Sequence, residues 1–268
     1  NVDVTPPLAG AVFDGLSGRD TTFSVSPVSL SDTWQGFRDP NSTLVDMLVA
    51  FGSTPGASDV AGPLSAGLAT SFSAQELSLV HGQTYYATVT AVNAAGGQVS
   101  NTSNGVIVAL RGPSTTGALV AVAGVPLGSD APAYHTDTTS LSASWTAFSA
   151  EPALPVVAYE VAVCRVDMLC DTGAFSDVGL DTSVAYSTLQ LLDGVSYRVH
   201  VRARNNAGVW SDEVVSGTFM VDTTPPSVVG VFNGAHRVHM PWLPALDRAW
   251  RGEPLHGRKA AAAHAQEA

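Results

Sequence analysis

The sequence predicts an all-β chain in which two β-sandwiches follow one another. Two long segments alternate in the period of 2 that a half-buried antiparallel strand requires, with one apolar face. These segments are related by a constant offset of 112 residues, so the chain repeats itself. Its 25 glycines and 16 prolines place turns between the candidate strands at spacings that suit a sandwich.

The repeat defines the predicted domains. Residues 77–96 (LSLVHGQTYYATVTAVNAAG) match residues 189–208 (LQLLDGVSYRVHVRARNNAG), and LSDTW at 30–34 matches LSASW at 141–145. A Thr-Pro-Pro start and a Val-Phe-x-Gly segment recur after 219 residues. We therefore expect sandwiches over 1–109 and 110–221, an incomplete third repeat over 222–234, and an irregular or disordered tail over 235–268. A tail translated outside the true reading frame is the alternative.

Each repeat contains five predicted strands. In the first they span 28–34, 44–51, 70–79, 85–93 and 105–110, and in the second 140–145, 156–166, 182–191, 197–205 and 216–221. In the strand that starts at Tyr85 every second residue is expected to face the core, as in the strand that starts at Tyr197. The Asn and Gly of NAAG and NNAG fit a turn that needs positive φ.

The composition is that of a folded protein with an acidic surface. Hydrophobic residues make up 45% of the chain and charged residues 13%, which excludes the disordered class. The net charge is −11, and residues 1–234 hold 20 acidic residues against seven arginines. This acidity argues against binding to nucleic acid or to anionic lipid. The most apolar stretch, 118–128, is too short to span a bilayer, so no membrane insertion is expected.

The repeated motifs resemble fibronectin type III domains. Leu-x-x-Gly-x-x-Tyr, an alternating strand and Asn-x-Ala-Gly resemble their F strand and FG turn, and Leu-x-x-x-Trp resembles their B strand. The Thr-Pro-Pro starts resemble the junctions of tandem extracellular arrays. The resemblance covers about 1–234, although residues 112–114 (Gly-Pro-Ser) depart from it. It implies immunoglobulin-like (fibronectin type III) antiparallel β-sandwiches and an extracellular protein, or the extracellular part of a membrane protein.

The resemblance also implies roles for four aromatic residues. The hydroxyls of Tyr85 and Tyr197 are expected to bond backbone a few residues upstream, as in the tyrosine corner of such sandwiches. Trp34 and Trp145 are expected to fill the space between the two sheets of their domains. All four would therefore determine the fold and take no part in chemistry.

The two cysteines, Cys164 and Cys170, have a spacing that suits a disulfide closing a small hairpin loop. A disulfide fits a secreted chain, and two reduced core thiols are the alternative. The pair alone does not suit zinc, which needs four ligands. We therefore predict no metal site here.

No catalytic motif or cofactor-binding loop is visible. Asp14, Asp20 and Asp32 are interpreted as isolated carboxylates in turns, and the histidines are scattered. Residues 210–214 begin like the Trp-Ser-x-Trp-Ser motif of cytokine receptors but lack the second Trp. We therefore expect no enzyme and no cofactor.

The expected function is a structural or adhesion module that spaces or presents binding surfaces for a protein or glycan ligand that the sequence does not name. The alternative is an accessory carbohydrate- or protein-binding module of a larger enzyme or receptor. Asn41 and Asn101 each begin an Asn-x-Ser/Thr acceptor in a predicted loop, so both are candidate glycosylation sites if the source secretes through a eukaryotic pathway.

Overall fold

A computed structural model describes residues 3–125, 133–168, 170 and 175–227. The described residues form strands, turns and irregular segments, without a helix. They build two sandwiches within one compact body that ends at Thr223. The predicted fold class, all-β with two tandem immunoglobulin-like sandwiches, is confirmed. Residues 228–234 of the predicted third repeat and the tail 235–268 lie outside the described residues.

The first sandwich contains nine strands: β1 (Ala11–Asp14), β2 (Phe23–Ser24), β3 (Leu30–Gln35), β4 (Leu44–Gly52), β5 (Ala61–Ser65), β6 (Ser71–Ala74), β7 (Thr84–Asn93), β8 (Gln98–Thr102) and β9 (Val106–Val108). One sheet has the order β1-β3-β6 and the facing sheet β2-β9-β7-β4-β5, with β8 also paired to β7.

The second sandwich contains β10 (Val120–Val122), β11 (Ala133–His135), β12 (Leu141–Trp145), β13 (Val156–Arg165), β14 (Ser176–Gly179), β15 (Ser183–Tyr186), β16 (Ser196–Asn205), β17 (Val214–Val215) and β18 (Phe219–Val221). Its sheets have the orders β10-β12-β15 and β11-β18-β16-β13-β14, with β17 paired to β16. The two sandwiches therefore share one topology. In each, a single short pairing is parallel, β2 with β9 and β11 with β18, while the remaining ladders are antiparallel.

The central strands follow the predicted alternation. In β7 and β16 every second residue is buried, beginning at Tyr85 and Tyr197. Each strand pairs along its length with β4 or β13, so the long β4–β7 and β13–β16 ladders form the middle of the larger sheets. Val49 and Val89 in the first sandwich and Val201 in the second are fully buried, which places the core between the sheets.

Several predicted strands are shorter than expected. The predicted strand 70–79 ends at Ala74, because Glu76 adopts a positive φ of 58° that an extended strand does not allow. The predicted strand 182–191 likewise contains only Ser183–Tyr186. In both cases the chain beyond the strand still bonds its neighbour: the N–H groups of Leu77 and Leu189 donate to backbone carbonyls at 2.9 and 2.8 Å.

The short and edge strands escaped the sequence prediction: β1, β2, β5, β8, β10, β11, β14 and β17. Each of them pairs with a single neighbouring strand, and six have four residues or fewer, which leaves little alternation to detect. Strand β5 also contains proline, which is tolerated at edges because no donor is needed there.

The asparagines of the NAAG and NNAG turns act differently from the prediction. Gly96 and Gly208 adopt positive φ, as expected, but Asn93 and Asn205 do not. The two asparagine side chains are buried, and each Oδ1 accepts two backbone N–H groups of its own turn. Each Nδ2 donates to the segment that enters the same sandwich, at the carbonyl of Thr5 (3.0 Å) or Arg111 (3.2 Å). Each asparagine therefore ties the start of its repeat to this turn.

Among the described residues, no helix has the length and apolar character of a membrane span.

Candidate functional site

The two tyrosines singled out by the sequence occupy the same place in their sandwiches. The hydroxyl of Tyr85 accepts the backbone N–H of Val80 at 3.0 Å, and that of Tyr197 accepts the N–H of Leu192 at 2.9 Å. Both rings are buried against the core. Each bond joins residues five apart in sequence and holds in place the turn that precedes a central strand.

Trp34 and Trp145 are also buried between the sheets. The ring of Trp145 lies 5.7 Å from that of Tyr159, measured between centroids. The hydroxyl of Tyr159 in turn accepts the N–H of Phe148 at 2.9 Å. The sequence prediction missed Tyr159, because the first sandwich has Met47 at this register and the repeat gives no signal there.

Cys164 and Cys170 form a disulfide, with their Cα atoms 5.4 Å apart. Cys164 lies near the end of β13 opposite Arg198, on the face that points away from the core. At the same register the first sandwich has Gly52 opposite Tyr86. The bridge is therefore an addition to the second sandwich that the shared fold does not need.

Reduction of this disulfide is expected to destabilise only the second sandwich, by on the order of 2 kcal/mol, because the closed loop is short. Hydrogen exchange read by mass spectrometry measures the stability of each sandwich separately, because peptides from β7 report on the first sandwich and peptides from β16 on the second. Exchange in β16 should accelerate on reduction while exchange in β7 stays constant. Two alkylated cysteines in freshly isolated, unreduced protein would refute the predicted bridge.

The two candidate glycosylation sites have different surroundings. Asn41 is exposed in a loop, where its Nδ2 donates to the hydroxyl of Thr5 at 2.9 Å. The prediction that Asn101 lies in a loop is wrong: Asn101 belongs to β8, and its Nδ2 donates to the carbonyl of Gly10 at 2.7 Å. Strand β8 is a short flanking strand, which sequence alternation does not reveal.

When the chain is secreted from a eukaryotic host, we expect Asn41 to carry glycan in a larger fraction of molecules than Asn101. An acceptor in an exposed loop is easier to reach than one whose backbone pairs in a sheet. Peptide mass spectrometry before and after glycosidase treatment measures both occupancies, with Asn41→Gln as the control. Equal or reversed occupancy would contradict the expected order.

The outward face of β16 carries a stack of cationic and aromatic groups. The guanidinium of Arg202 lies 4.1 Å from the ring centroid of Phe175 and 4.7 Å from that of Trp210. Glu160 on β13 accepts two bonds from Arg202, at 2.6 and 2.9 Å. The guanidinium of Arg204 also lies over the ring of Trp210, 5.4 Å from its centroid. The alternation of the strand predicts that these arginines face solvent, but Glu160, Phe175 and Trp210 lie against them, and both arginines are partly buried.

This stack limits what the surface can bind. The faces of Phe175 and Trp210 that meet Arg202 are not available for stacking on a sugar ring. Cation–π pairs stabilise by about 0.5–2 kcal/mol, so the stack favours a rigid surface. In the first sandwich the equivalent face carries paired hydroxyls instead, with Thr88 bonded to Thr102 and Thr90 to Ser100.

A pair of carboxyl groups is buried in the first sandwich. The prediction that Asp14 and Asp32 are isolated in turns is wrong: they oppose each other on β1 and β3, on the core side, and their side chains hydrogen-bond. Burial, and after it the charge of the adjacent Asp14 carboxylate, together raise the pKa of Asp32 to about 9. Burial also raises the pKa of Asp14. The pair therefore holds one proton at neutral pH.

The second sandwich shows that this pair is not required by the fold. Strands β10 and β12 have the same register as β1 and β3, with Val120 opposite Trp145 where Val12 opposes Trp34. Two residues further along this register, Val122 opposes Ala143. Apolar side chains thus fill the place of the two carboxyl groups. Alignment of the two repeats places Asp32 at the position of Ala143, so sequence comparison could have singled out Asp32. It could not have identified Asp14 as the residue that Asp32 meets.

Polar groups line a cleft of about 690 Å³ where the first sandwich meets the second. His81, Arg111, Glu151 and Asp212 are among its lining residues. The Nδ1 of His81 accepts the N–H of Leu110 at 3.0 Å, and burial, then the charge of Arg111, lowers the pKa of His81. These contacts position the connecting segment between the two sandwiches.

No protein-family model matches this chain, and no curated protein matches it in sequence. Among solved structures it is similar to the FN1-FN3 domains of chicken CNTN1, with 17% identity over 81% of this chain and 68% of that chain and a TM-score of 0.40. It is also similar to a segment of consecutive domains from titin, with 16% identity over 80% of this chain and 66% of that chain and a TM-score of 0.46. The class of the protein, a tandem β-sandwich chain, follows from its own strand pairing.

Proposed function

We propose that this chain is a non-catalytic segment of an extracellular array of fibronectin type III-like repeats that spaces or presents binding surfaces. The observation that carries the proposal is the repetition of one strand register in two sandwiches whose outward faces differ. Fold-determining residues recur at equivalent positions, such as Tyr85 with Tyr197 and Asn93 with Asn205. The outward faces instead carry hydroxyls in one sandwich and a cation–aromatic stack in the other.

This pattern supports a scaffold that varies its surface. A repeat keeps the residues that its core and turns require, while its exposed strands are free to change with the partner. The asparagine bonds to Thr5 and Arg111 fix the entry of the chain into each sandwich, which supports a defined spacing between repeats. The disulfide between Cys164 and Cys170 is compatible with an oxidising compartment.

A carbohydrate-binding accessory module is the less favoured alternative. Such a module would present aromatic faces to sugar rings, but Phe175 and Trp210 face Arg202. Tyr86 is only partly exposed, and the second sandwich has Arg198 at its register. Neither sandwich therefore offers a repeated line of free aromatics among the residues described.

The location of the protein tests the proposal. Antibodies against residues 1–221 should label intact, unpermeabilised cells of the source or the material around them. Antibodies against a known cytoplasmic protein serve as the control for intact membranes. Labelling that appears only after permeabilisation would refute the extracellular role and leave the tandem fold unaffected.

A further inference from the structure

Three side chains on the outward face of the second sandwich bring metal-binding atoms together. The sulfur atoms of Cys164 and Cys170 and a ring nitrogen of His200 all lie within 4.8 Å of one another. In the β13–β16 ladder Cys164 opposes Arg198 and Ala162 opposes His200. Cys164 and His200 are therefore diagonal neighbours on the same face, within reach of each other's side chains. The small side chain of Ala162 leaves room beside the imidazole.

A carboxylate orients this histidine. The Nδ1 of His200 lies 2.8 Å from Oε2 of Glu213; the imidazole is partly buried and the carboxylate is exposed. An imidazole that donates from Nδ1 keeps its lone pair on Nε2, which is the form that binds a metal ion. Histidines that bind metals in proteins commonly have such a carboxylate behind them. The arrangement therefore supplies a ligand together with the group that orients it.

The first sandwich lacks this chemistry at the same register. Gly52 stands where the second sandwich has Cys164, and Thr88 where it has His200. The shared fold thus forms without a cysteine or histidine at these positions. Two cysteines and one histidine at this place are therefore an addition that the shared fold does not require.

We propose that reduction of the Cys164–Cys170 disulfide opens a binding site for a thiophilic divalent metal ion, zinc above all, with Cys164, Cys170 and His200 as ligands. A small-molecule or protein dithiol reduces the bridge: its two thiols become a disulfide, and the two cysteine sulfurs each gain a proton. The metal ion then displaces those two protons and forms two metal–sulfur bonds and one metal–nitrogen bond. Water completes a tetrahedron.

The geometry allows this change with a small movement. Zinc–sulfur bonds of about 2.3 Å in a tetrahedron place the two sulfur atoms about 3.8 Å apart, further than in a disulfide. Cys164 is held within β13, whereas Cys170 lies outside the strands. The movement therefore falls on Cys170, and the ladder that holds Cys164 and His200 remains intact.

Cobalt(II) titration of the full chain tests the site, because cobalt replaces zinc and absorbs visible light when bound tetrahedrally by thiolates. The reduced protein, with two free thiols by thiol assay, should bind one cobalt ion with thiolate charge-transfer absorption, and zinc should displace it. His200→Gln should weaken binding at least about tenfold, and Glu213→Gln by about 10–100-fold. Cys164→Ser should remove most of the charge-transfer absorption. His81→Ala, which changes a histidine in the first sandwich, should bind as the parent does.

Three results would overturn the proposal. The first is a folded, fully reduced parent that binds no cobalt at micromolar protein concentrations. The second is a His200→Gln variant with unchanged affinity, which would mean that the cysteines act without the histidine. The third is equal binding by the oxidised protein, which would place the metal elsewhere. Hydrogen exchange in β16 establishes that each variant is folded before its affinity is compared.

Discussion

Replacing Asp32 with asparagine is expected to stabilise the first sandwich at pH 8 by about 1–4 kcal/mol and to change its stability little at pH 4. Asp32 is buried beside Asp14, and its pKa is raised to about 9 by burial and then by the neighbouring carboxylate. The protonated carboxyl group can donate to Asp14, as an asparagine amide can. Asparagine does so without having to take up a proton when the chain folds.

The pH dependence has a defined sign. The pKa of Asp32 is raised on folding, so its stabilising contribution is complete below its unfolded pKa of about 4 and is lost as the pH rises towards 9. The parent's first sandwich should therefore become less stable between pH 5 and pH 8. Asp20, whose Oδ1 accepts the N–H of Asp14, adds a further negative charge beside the pair. The Asp32→Asn variant should show a flatter profile over this range.

Urea unfolding at pH 4, 6 and 8, followed by hydrogen exchange in β3 and β7, measures the effect in the first sandwich alone. Asp46→Asn is the matched control, because Asp46 lies on the outward face of β4 in the same sandwich. The double variant Asp14→Val with Asp32→Ala copies the second sandwich and should also lose the pH dependence between pH 5 and pH 8. An Asp32→Asn variant that is destabilised equally at all three pH values would show that the pair is not protonated.

Replacing Tyr85 or Tyr197 with phenylalanine is expected to destabilise the sandwich that contains it by about 1–3 kcal/mol. Each hydroxyl accepts a backbone N–H at 3.0 or 2.9 Å, and phenylalanine leaves that donor without its partner beside an apolar ring. Both N–H groups are only partly buried, so water can partly replace the lost bond and the effect should fall in the lower half of this range.

The effect should stay within one sandwich. Tyr85→Phe should accelerate exchange in β7 and leave β16 unchanged, and Tyr197→Phe should do the reverse. Tyr86→Phe is the control, since Tyr86 is next in sequence but points away from the core. Identical unfolding midpoints in parent and variants would show that these hydroxyls do not stabilise the sandwiches.

The sequence by itself determined the repeat and its central strands. Strands β7 and β16 each hold ten residues with unbroken alternation, and local physics suffices to identify them, because a half-buried strand must place every second side chain in the core. The roles of the paired tyrosines and tryptophans were instead implied by the resemblance of the repeated motifs to fibronectin type III domains. Because the same alternation occurs twice at a constant offset, chance does not explain it.

Only the tertiary structure decided which polar residues meet. Asp14 and Asp32 oppose each other because of the β1–β3 register, and His200 reaches the two cysteines because β13 and β16 are paired. Neither encounter has a local signature, since sequence patterns report which way a side chain points but not what lies opposite it. The register of a ladder is set by the packing of a whole face, so the buried acid pair and the candidate metal ligands emerge only when the sheets are assembled.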